Sequence, residues 1–308
     1  MNDSLERNCD TAIIILNYNS WRETLDEVNQ CIEVLNFKYC DIVVDNCSTN
    51  ESSKNLLRES ERLGFCFIQS SKNNGYAAGN NMGLKYAFKK GYYSALILNN
   101  DIVIQNSNLI EMMNSYLKKD SSLAIISPDI LSPSGYLFNR YSKRPSLYDF
   151  TIGMYRYKKT GRILKDLSGY GYVYRPQGCC MLVKLDAIND VGYLDEHTFL
   201  YYEEAIIAEK LLLTKCKCAC CTRVDVVHNH SYTVNKAFQK SKIVNMKNHS
   251  FAYYLTMYRK FGYIKVIICC VFNTIKLYLL YFFTTNLFLV GIQDIEFYHF
   301  VSHFRLLK

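Results

Sequence analysis

A chain of 308 residues with 49% hydrophobic and 14% aromatic content can bury the core of one large α/β domain plus a small appendage. Its formal net charge of +8 suits contact with an anionic surface, but no nucleic-acid-binding motif accompanies it, so nucleic acid is not an expected partner. The start MNDSLERNCD lacks a basic n-region and an apolar h-region, so no signal peptide is expected, and the 13 cysteines, an odd number, are expected as free thiols in a reducing cytoplasm.

The first expected strand, residues 11–16 (TAIIIL), stops on Asn17, Tyr18, Asn19 and Ser20. A helix over 21–35 follows, with Leu25, Val28, Ile32 and Leu35 at helical spacing for one packed face. The second strand, 41–44 (DIVV), ends on Asp45, Asn46, Cys47 and Ser48, and a weaker helical pattern covers 52–63. Residues 73–83 (NNGYAAGNNMG) read as a loop that lets a ligand approach the backbone and that feeds a helix over 84–90. Its glycines at 75, 79 and 83 are four apart, which does not fit the dinucleotide fingerprint and disfavours a Rossmann dehydrogenase.

Residues 94–101 (SALILNND) form a third apolar run that ends on two amides and a carboxylate. Ligands of open α/β sheets bind at such carboxyl ends of strands. Asp101, with Asn99 and Asn100 beside it, offers hard oxygen ligands suited to Mg2+ or Mn2+ holding a diphosphate; a plain turn or helix cap is the alternative. A helix over 109–117 and a strand over 123–127 continue the βα alternation, which predicts parallel pairing with right-handed crossovers.

Residues 128–176 lose periodicity and are rich in Tyr, Arg, Lys and Gly, the signature of either an acceptor-side cover or a solvated excursion. Cys179 and Cys180 sit in an apolar strand. Cys216, Cys218, Cys220 and Cys221 alternate as a strand does, favouring free thiols over zinc. Glu203 and Glu204 begin a helix reaching 213, where carboxylates favour the helix dipole and where one could also act as a base toward an acceptor hydroxyl. A strand over 223–227 precedes His228.

Beyond residue 235 the character changes. Lysines at 236, 240, 242, 247, 260, 265 and 276 accompany apolar stretches over 266–272 and 277–291. The uncharged run 277–293 is 17 residues long, short of the roughly 20 needed to span a bilayer. Attachment to an anionic inner leaflet and packing on the catalytic domain both fit such a segment.

The motifs N-Y-N-S at 17–20, V-D-N-C-S at 44–48, N-N-G-Y-A-A-G-N-N-M-G at 73–83, L-N-N-D at 98–101, G-C-C-M at 178–181, V-G-Y-L-D-E at 191–196 and F-L-Y-Y-E-E at 199–204, then His228 with Ser231, occur in an order that resembles one family. It is that of the inverting, nucleotide-sugar-dependent glycosyltransferases of family 2, in particular their bacterial rhamnosyltransferase-like branch, and the resemblance covers about residues 11–235. It implies an α/β, GT-A-like doubly wound and mostly parallel sheet over 1–235, with a helical C-terminal appendage over 236–308.

The resemblance further implies transfer of a sugar, with inversion, from a UDP-, dTDP- or GDP-sugar to a hydroxyl of a lipid-linked oligosaccharide or surface polysaccharide; the expected location is the cytoplasm, with the tail leaving open a peripheral place on the cytoplasmic face of the inner membrane. The resemblance places Asp101 at the metal, His228 at the diphosphate or metal (a plain strand-end cap is the alternative), Asp45 near the nucleobase, Asn17 and Asn19 near the ribose, and Asn73 and Gly75 along the nucleotide and its phosphates, with Asn80, Asn99 and Asn100 in the same donor set. Two departures stand out. Where relatives read Glu-Asp this chain has Glu203 and Glu204, so either could be the base, with Glu204 at the matching position; and Ile206 replaces a common second aspartate. These departures keep a non-catalytic nucleotide-sugar or glycan-binding protein as a rival. A sugar nucleotidyltransferase is a second rival, without the basic glycine-rich N-terminal loop it would need.

Overall fold

The computed structural model describes residues 9–153, 169–229 and 240–288. The strands are β1 (Thr11–Asn17), β2 (Cys40–Asp45), β3 (Cys66–Gln69), β4 (Ser94–Leu98), β5 (Ile102–Ile104), β6 (Leu123–Leu131), β7 (Tyr170–Val173), β8 (Cys180–Lys184) and β9 (Lys217–His228). The helices are α1 (Trp21–Val34), α2 (Ser52–Leu63), α3 (Tyr76–Lys89), α4 (Leu109–Lys119), α5 (Leu147–Phe150), α6 (Leu185–Asp190), α7 (Glu203–Leu213), α8 (Lys240–Tyr253) and α9 (Tyr263–Phe288), with a π-helical turn over Tyr254–Tyr258. Among the described residues one sheet runs β3-β2-β1-β4-β8-β6-β9-β5, and β7 pairs with β9. β1 to β4, β6 and β9 point one way, and β5, β7 and β8 the other.

The continuous apolar runs of β1 and β2 follow from burial on both faces, as a doubly wound sheet requires. Alternate residues serve opposite layers: Ile13, Ile15 and Val43 pack with Val28 and Cys31 of α1, Leu56 of α2 and Met113 of α4. Ala12, Ile14, Ile42 and Val44 pack with Leu84 and Ala87 of α3, Ile188 of α6 and Ile207 of α7. Residues β3 and β5 form were not expected as strands from their short patterns, and β9 extends across both the cysteine cluster and the run before His228.

Two helices differ from the sequence expectation. Helix α3 begins at Tyr76, so most of the expected loop is helical. The reason is packing: a Cβ on Gly79 would lie 2.4 Å from Leu16 Cδ1, and one on Gly83 would lie 2.6 Å from Ile14 Cγ2. These glycines bring helix and sheet together rather than freeing the backbone. On α1 the buried face is Thr24, Glu27, Val28 and Cys31, while Ile32 is half exposed. The polar members of that face are held by partners at the strand ends.

All 13 cysteines are free thiols. Cys218 and Cys220 belong to one hydrophobic layer and Cys221 to the other, and burial pushes all three thiols up, away from the thiolate that zinc needs.

The described C-terminal helices pack on the start of α7. Ala205 and Ile206 share a buried cluster with Phe251, Tyr254, Leu255, Val266 and Cys269. Beneath it, buried Glu209 of α7 accepts from Arg144 Nε at 2.8 Å and Tyr174 Oη at 2.5 Å, with Arg259 Nε at 3.5 Å. Asp195 Oδ2 accepts from Tyr253 Oη at 3.0 Å and also from Tyr258. The two hydrophobic tail segments expected separately lie on one helix, α9, as far as Phe288; among the described residues no helix is long and apolar enough to cross a membrane. Ser231 and residues 289–291 lie outside the described residues.

Candidate active site

The carboxyl ends of β1, β2, β4 and β9 meet the start of β8 and the N-termini of α3 and α7. At the β1 and β2 ends the amides and carboxylate bind one another. Asn17 Nδ2 donates to Asp45 Oδ1 at 2.6 Å, while its Oδ1 accepts from Thr24 Oγ1 at 2.9 Å. Asp45, fully buried, also accepts from Ser48 Oγ at 2.5 Å and Ser48 N at 3.1 Å. Asn19, exposed and in the left-handed region (φ 58°), accepts from Thr49 N at 2.8 Å and so joins the two loops. Asn46 Nδ2 reaches Asn73 Oδ1 at 3.0 Å and Gly75 O at 3.1 Å, adding the turn before α3 to the same edge.

The end of β4 carries three polar residues with different surroundings. Asn100 Nδ2 donates to Ser20 Oγ and Thr24 Oγ1, each at 2.9 Å, which locks the strand end to α1. Asn99 Oδ1 accepts from the Tyr76 phenol at 3.3 Å. Asp101 precedes β5, whose first residue pairs with His228, and Asn229 N donates to Asp101 O at 3.0 Å. This ladder sets His228 Nε2 3.1 Å from Asp101 Oδ1. The contact has the distance of an ion pair but not the direction of a hydrogen bond, so the buried Oδ1 retains lone-pair capacity. Asp101 also raises the pKa of Glu27 beneath it: burial first, then the Asp101 charge, push that carboxyl to about 9.

Opposite stands the start of α7. Tyr201 and Tyr202 both have left-handed backbones (φ 76° and 72°), a strained turn of the kind held only where surrounding structure demands it. Phe199 O accepts from Tyr76 N at 2.9 Å, and a Cβ on Gly75 would lie 2.1 Å from that oxygen, so the 73–83 and 199–204 motifs abut directly. The half-buried carboxyl of Glu204 accepts from Gly178 N at 3.1 Å through Oε1 and lies 3.9 Å from Arg175 Nη1 through Oε2. Glu203 is buried with Oε1 lacking any partner, and burial together with the Glu204 charge holds its carboxyl well above the usual range. The two glutamates therefore differ in setting: Glu204 is half-buried and accepts from the Gly178 amide, and Glu203 lies in the core with its carboxyl held above the usual range.

The structure thus gathers Asn17, Asn19, Asp45, Asn73, Gly75, Asn99, Asn100, Asp101, Glu204 and His228 along one edge. Asn80 stands on α3 one turn inside, fully buried, with Nδ2 on Tyr76 O at 3.0 Å and Oδ1 unpartnered. Sequence reasoning missed Tyr76, whose phenol also donates to Gly178 O at 2.8 Å, and it missed Arg175. Neither carries a spacing signal; each works through contacts more than twenty residues distant.

A divalent ion fits the β4 end. Asp101 and His228 offer an oxygen and an imidazole nitrogen side by side, and among the described residues no third acidic, histidine or cysteine side chain joins them. Mg2+ or Mn2+ at such a site takes its remaining ligands from water and substrate phosphates.

Comparison with known proteins agrees with this architecture. The family model for glycosyl transferase family 2 matches residues 12–192. The low-salt glycan biosynthesis hexosyltransferase Agl10 of Haloferax volcanii is 29% identical over 225 residues, covering 71% of this chain and 67% of that protein. GalNAc-T7, solved with UDP, GalNAc and Mn2+, superposes with a TM-score of 0.61 at 15% identity over 81% of this chain and 48% of its own, so the chain spans about half of that protein. The mannosyltransferase PcManGT of Pyrobaculum calidifontis, solved with GDP-Man and Mn2+, gives 0.57 at 13% identity over 87% and 71%. S. aureus TarS 1–349 in complex with UDP-GlcNAc gives 0.52 at 14% identity over 80% and 66%. At these identities the likeness shows the GT-A fold.

Proposed function

The chain belongs to glycosyl transferase family 2, and on that premise we propose that it moves a hexose or deoxyhexose, with inversion, from a nucleoside-diphosphate sugar to a hydroxyl of a lipid-linked glycan acceptor. The observation that carries this reading is the hydrogen-bonded line from Asn99 through Tyr76 and Gly178 to Glu204, which sets a carboxylate at a fixed place relative to the Asp101 strand end.

Asp101 and His228 are the residues that would hold Mg2+ or Mn2+, which when bound offsets the negative charge developing on the departing diphosphate. The cluster of Asn17, Asn19, Asp45 and Asn46 shapes the nucleoside end, and Asn73 and Gly75 border the phosphates. Glu204 removes the proton of the acceptor hydroxyl as its oxygen bonds to the anomeric carbon; the bond from that carbon to the diphosphate oxygen breaks on the opposite face, and the diphosphate leaves with the bonding pair. A base so placed contributes about 10²- to 10⁴-fold. Glu203, buried beside it with its carboxyl held above the usual range, takes no part in the transfer.

A lipid-linked acceptor fits the outer side of α9. Ile264, Ile267, Ile268, Val271, Ile275 and Tyr278 recur at helical spacing and are 42–72% exposed, with Lys260 and Lys265 exposed alongside. A helix with such a face can lie in a bilayer surface without spanning it.

The direct test is thermal protection of the full chain by UDP-, dTDP- and GDP-sugars with and without Mn2+, followed by transfer assays with the protecting donor. One donor should raise the melting temperature only with metal present. Protection by none of them, or transfer that a chelator leaves untouched, refutes the mechanism.

A further inference from the structure

The segment that launches α7 is held by two distant parts of the chain. Tyr76 N, at the start of α3, donates to Phe199 O at 2.9 Å. The next carbonyl, Leu200 O, accepts from Oγ of the buried Ser250 of α8 at 2.8 Å. Tyr201 and Tyr202, which follow, carry the left-handed backbones, and the Tyr202 ring is stacked on Phe251 of α8 (centroids 4.9 Å apart, 16° between the planes) and on Tyr254 of the π-helical turn (5.7 Å, 22°). Glu204 comes two residues after Tyr202.

The approach to this turn has a second tie to the tail. Asp195 is buried; its Oδ1 accepts from His197 N at 2.8 Å, and its Oδ2 accepts from the phenols of Tyr253, at 3.0 Å, and Tyr258. The Tyr253 ring also lies stacked on the His197 imidazole, with centroids 5.5 Å apart. A bulky residue keeps a left-handed backbone only where its surroundings over-determine it. Here those surroundings include residues 250–258, which lie beyond the span 12–192 that the family model matches.

We propose that Ser250, Tyr253 and Tyr258 are positioning residues for the transfer: they clamp the segment 195–204 in the form that presents Glu204 to the acceptor, so that the C-terminal helices complete the base side of the site. Each acts through Leu200 or Asp195 and not on the substrate. The Gly178 amide orients the Glu204 carboxyl, but the turn ahead of it sets where the Glu204 backbone stands, and a misplacement of about 1 Å can cost about a hundredfold in rate. This inference rests on the transferase reading for the role of Glu204, but the clamp itself does not depend on that reading.

Hydrogen–deuterium exchange of the full chain, read over 195–204 and over β1, measures the clamp. Nucleotide affinity is titrated separately with UDP, dTDP and GDP in Mn2+, and turnover is read as nucleoside diphosphate released from UDP-glucose, dTDP-rhamnose and GDP-mannose with octyl glucoside or water as the acceptor. Ser250→Ala and the double variant Tyr253→Phe, Tyr258→Phe should each speed exchange over 195–204 about five- to tenfold, the worth of about one hydrogen bond, and leave β1 as it was. Turnover should fall about tenfold or more at unchanged nucleotide affinity. Ser250→Thr, which keeps the hydroxyl, should preserve both. Leu117→Ala, which opens a cavity beneath α4 in the other hydrophobic layer, is the control for lost stability and should keep turnover and exchange over 195–204 near the wild-type values.

Exchange over 195–204 that neither variant alters overturns the proposal. So does faster exchange with turnover kept, since the contacts would then serve stability alone, and so does an equal loss of turnover in Leu117→Ala. Should the double tyrosine variant fail to fold, Ser250→Ala against Ser250→Thr gives the same reading. A wild type that releases no nucleoside diphosphate from any of the three donors, with the exchange response intact, counts against the transferase reading and leaves the clamp standing.

Discussion

The phenol of Tyr76 donates to the carbonyl of Gly178 at 2.8 Å, joining the first residue of α3 to the turn that presents Glu204 with its amide. The same oxygen is 3.3 Å from Asn99 Oδ1, so one side chain spans the end of β4 and the approach to α7. Tyr76→Phe should leave both acceptors without that donor and cost about 1–2 kcal/mol of stability. Turnover should fall about tenfold through loss of positioning, with nucleotide affinity largely kept. Transfer kinetics beside chemical denaturation would check it; equal losses in a variant far from the site would remove the special role of Tyr76.

The two glutamates should separate cleanly. Glu204→Gln is expected to lower kcat by about 10²- to 10⁴-fold at unchanged donor affinity. Glu203→Gln mimics the protonated group and should retain most activity and stability. If the two variants reverse, Glu203 is the base. Asp101→Asn should instead abolish the Mn2+-dependent part of nucleotide binding, a defect that titration with and without metal distinguishes.

Stability should decline on the alkaline side. The Glu27 carboxyl rises from 4.5 to about 9 through burial and the Asp101 charge, and Asp41 rises from 3.8 to about 7 through burial. The folded chain keeps protons that the unfolded chain releases, so the stability they confer is complete below their ordinary values and is lost as pH climbs through 7 toward 9. Glu27→Gln should flatten this dependence and raise the melting temperature at pH 8 by about 3 °C or more. A wild type whose melting temperature rises steadily from pH 5 to 8 would contradict the assignment.

Ile206 occupies a closed position between α7 and the C-terminal helices. Ile206→Ala should cost about 2–4 kcal/mol by leaving a cavity. Ile206→Asp, the residue common in relatives, should cost more than Ile206→Ala, because the carboxylate would be buried among Phe251, Leu255 and Cys269. Denaturant midpoints of the two variants would settle their order.

The outer face of α9 predicts binding to vesicles. Flotation with anionic liposomes should recover the wild-type chain, and the double variant Ile267→Glu, Val271→Glu should remain below the gradient with its melting temperature unchanged, both positions being exposed. Equal recovery of both proteins would remove the membrane reading.

The apolar runs of β1, β2 and β4, their polar stops, and Asp101, Glu204 and His228 as chemically interesting positions could all be read along the chain, because a strand buried on both faces must be uninterruptedly apolar and must turn polar where it meets a ligand edge. The helical nature of residues 76–83 could not, since glycine-rich sequence has low helix propensity and only Leu16 and Ile14 of β1 explain why glycine is needed there. The different settings of Glu203 and Glu204 were equally invisible: adjacent, identical residues part company when one turns into the core and the other toward Gly178.

Local chemistry, written in consecutive residues, therefore determined the strand framework and the kind of reaction to expect. What the tertiary structure decided is which residues stand together in the site: His228 beside Asp101, Arg175 beside Glu204, and Lys247 of α8 over the Tyr201 ring. Solvation and Coulomb interactions depend on distance in space rather than along the chain, so residues up to a hundred or more positions apart act on one another only once the backbone has brought them together.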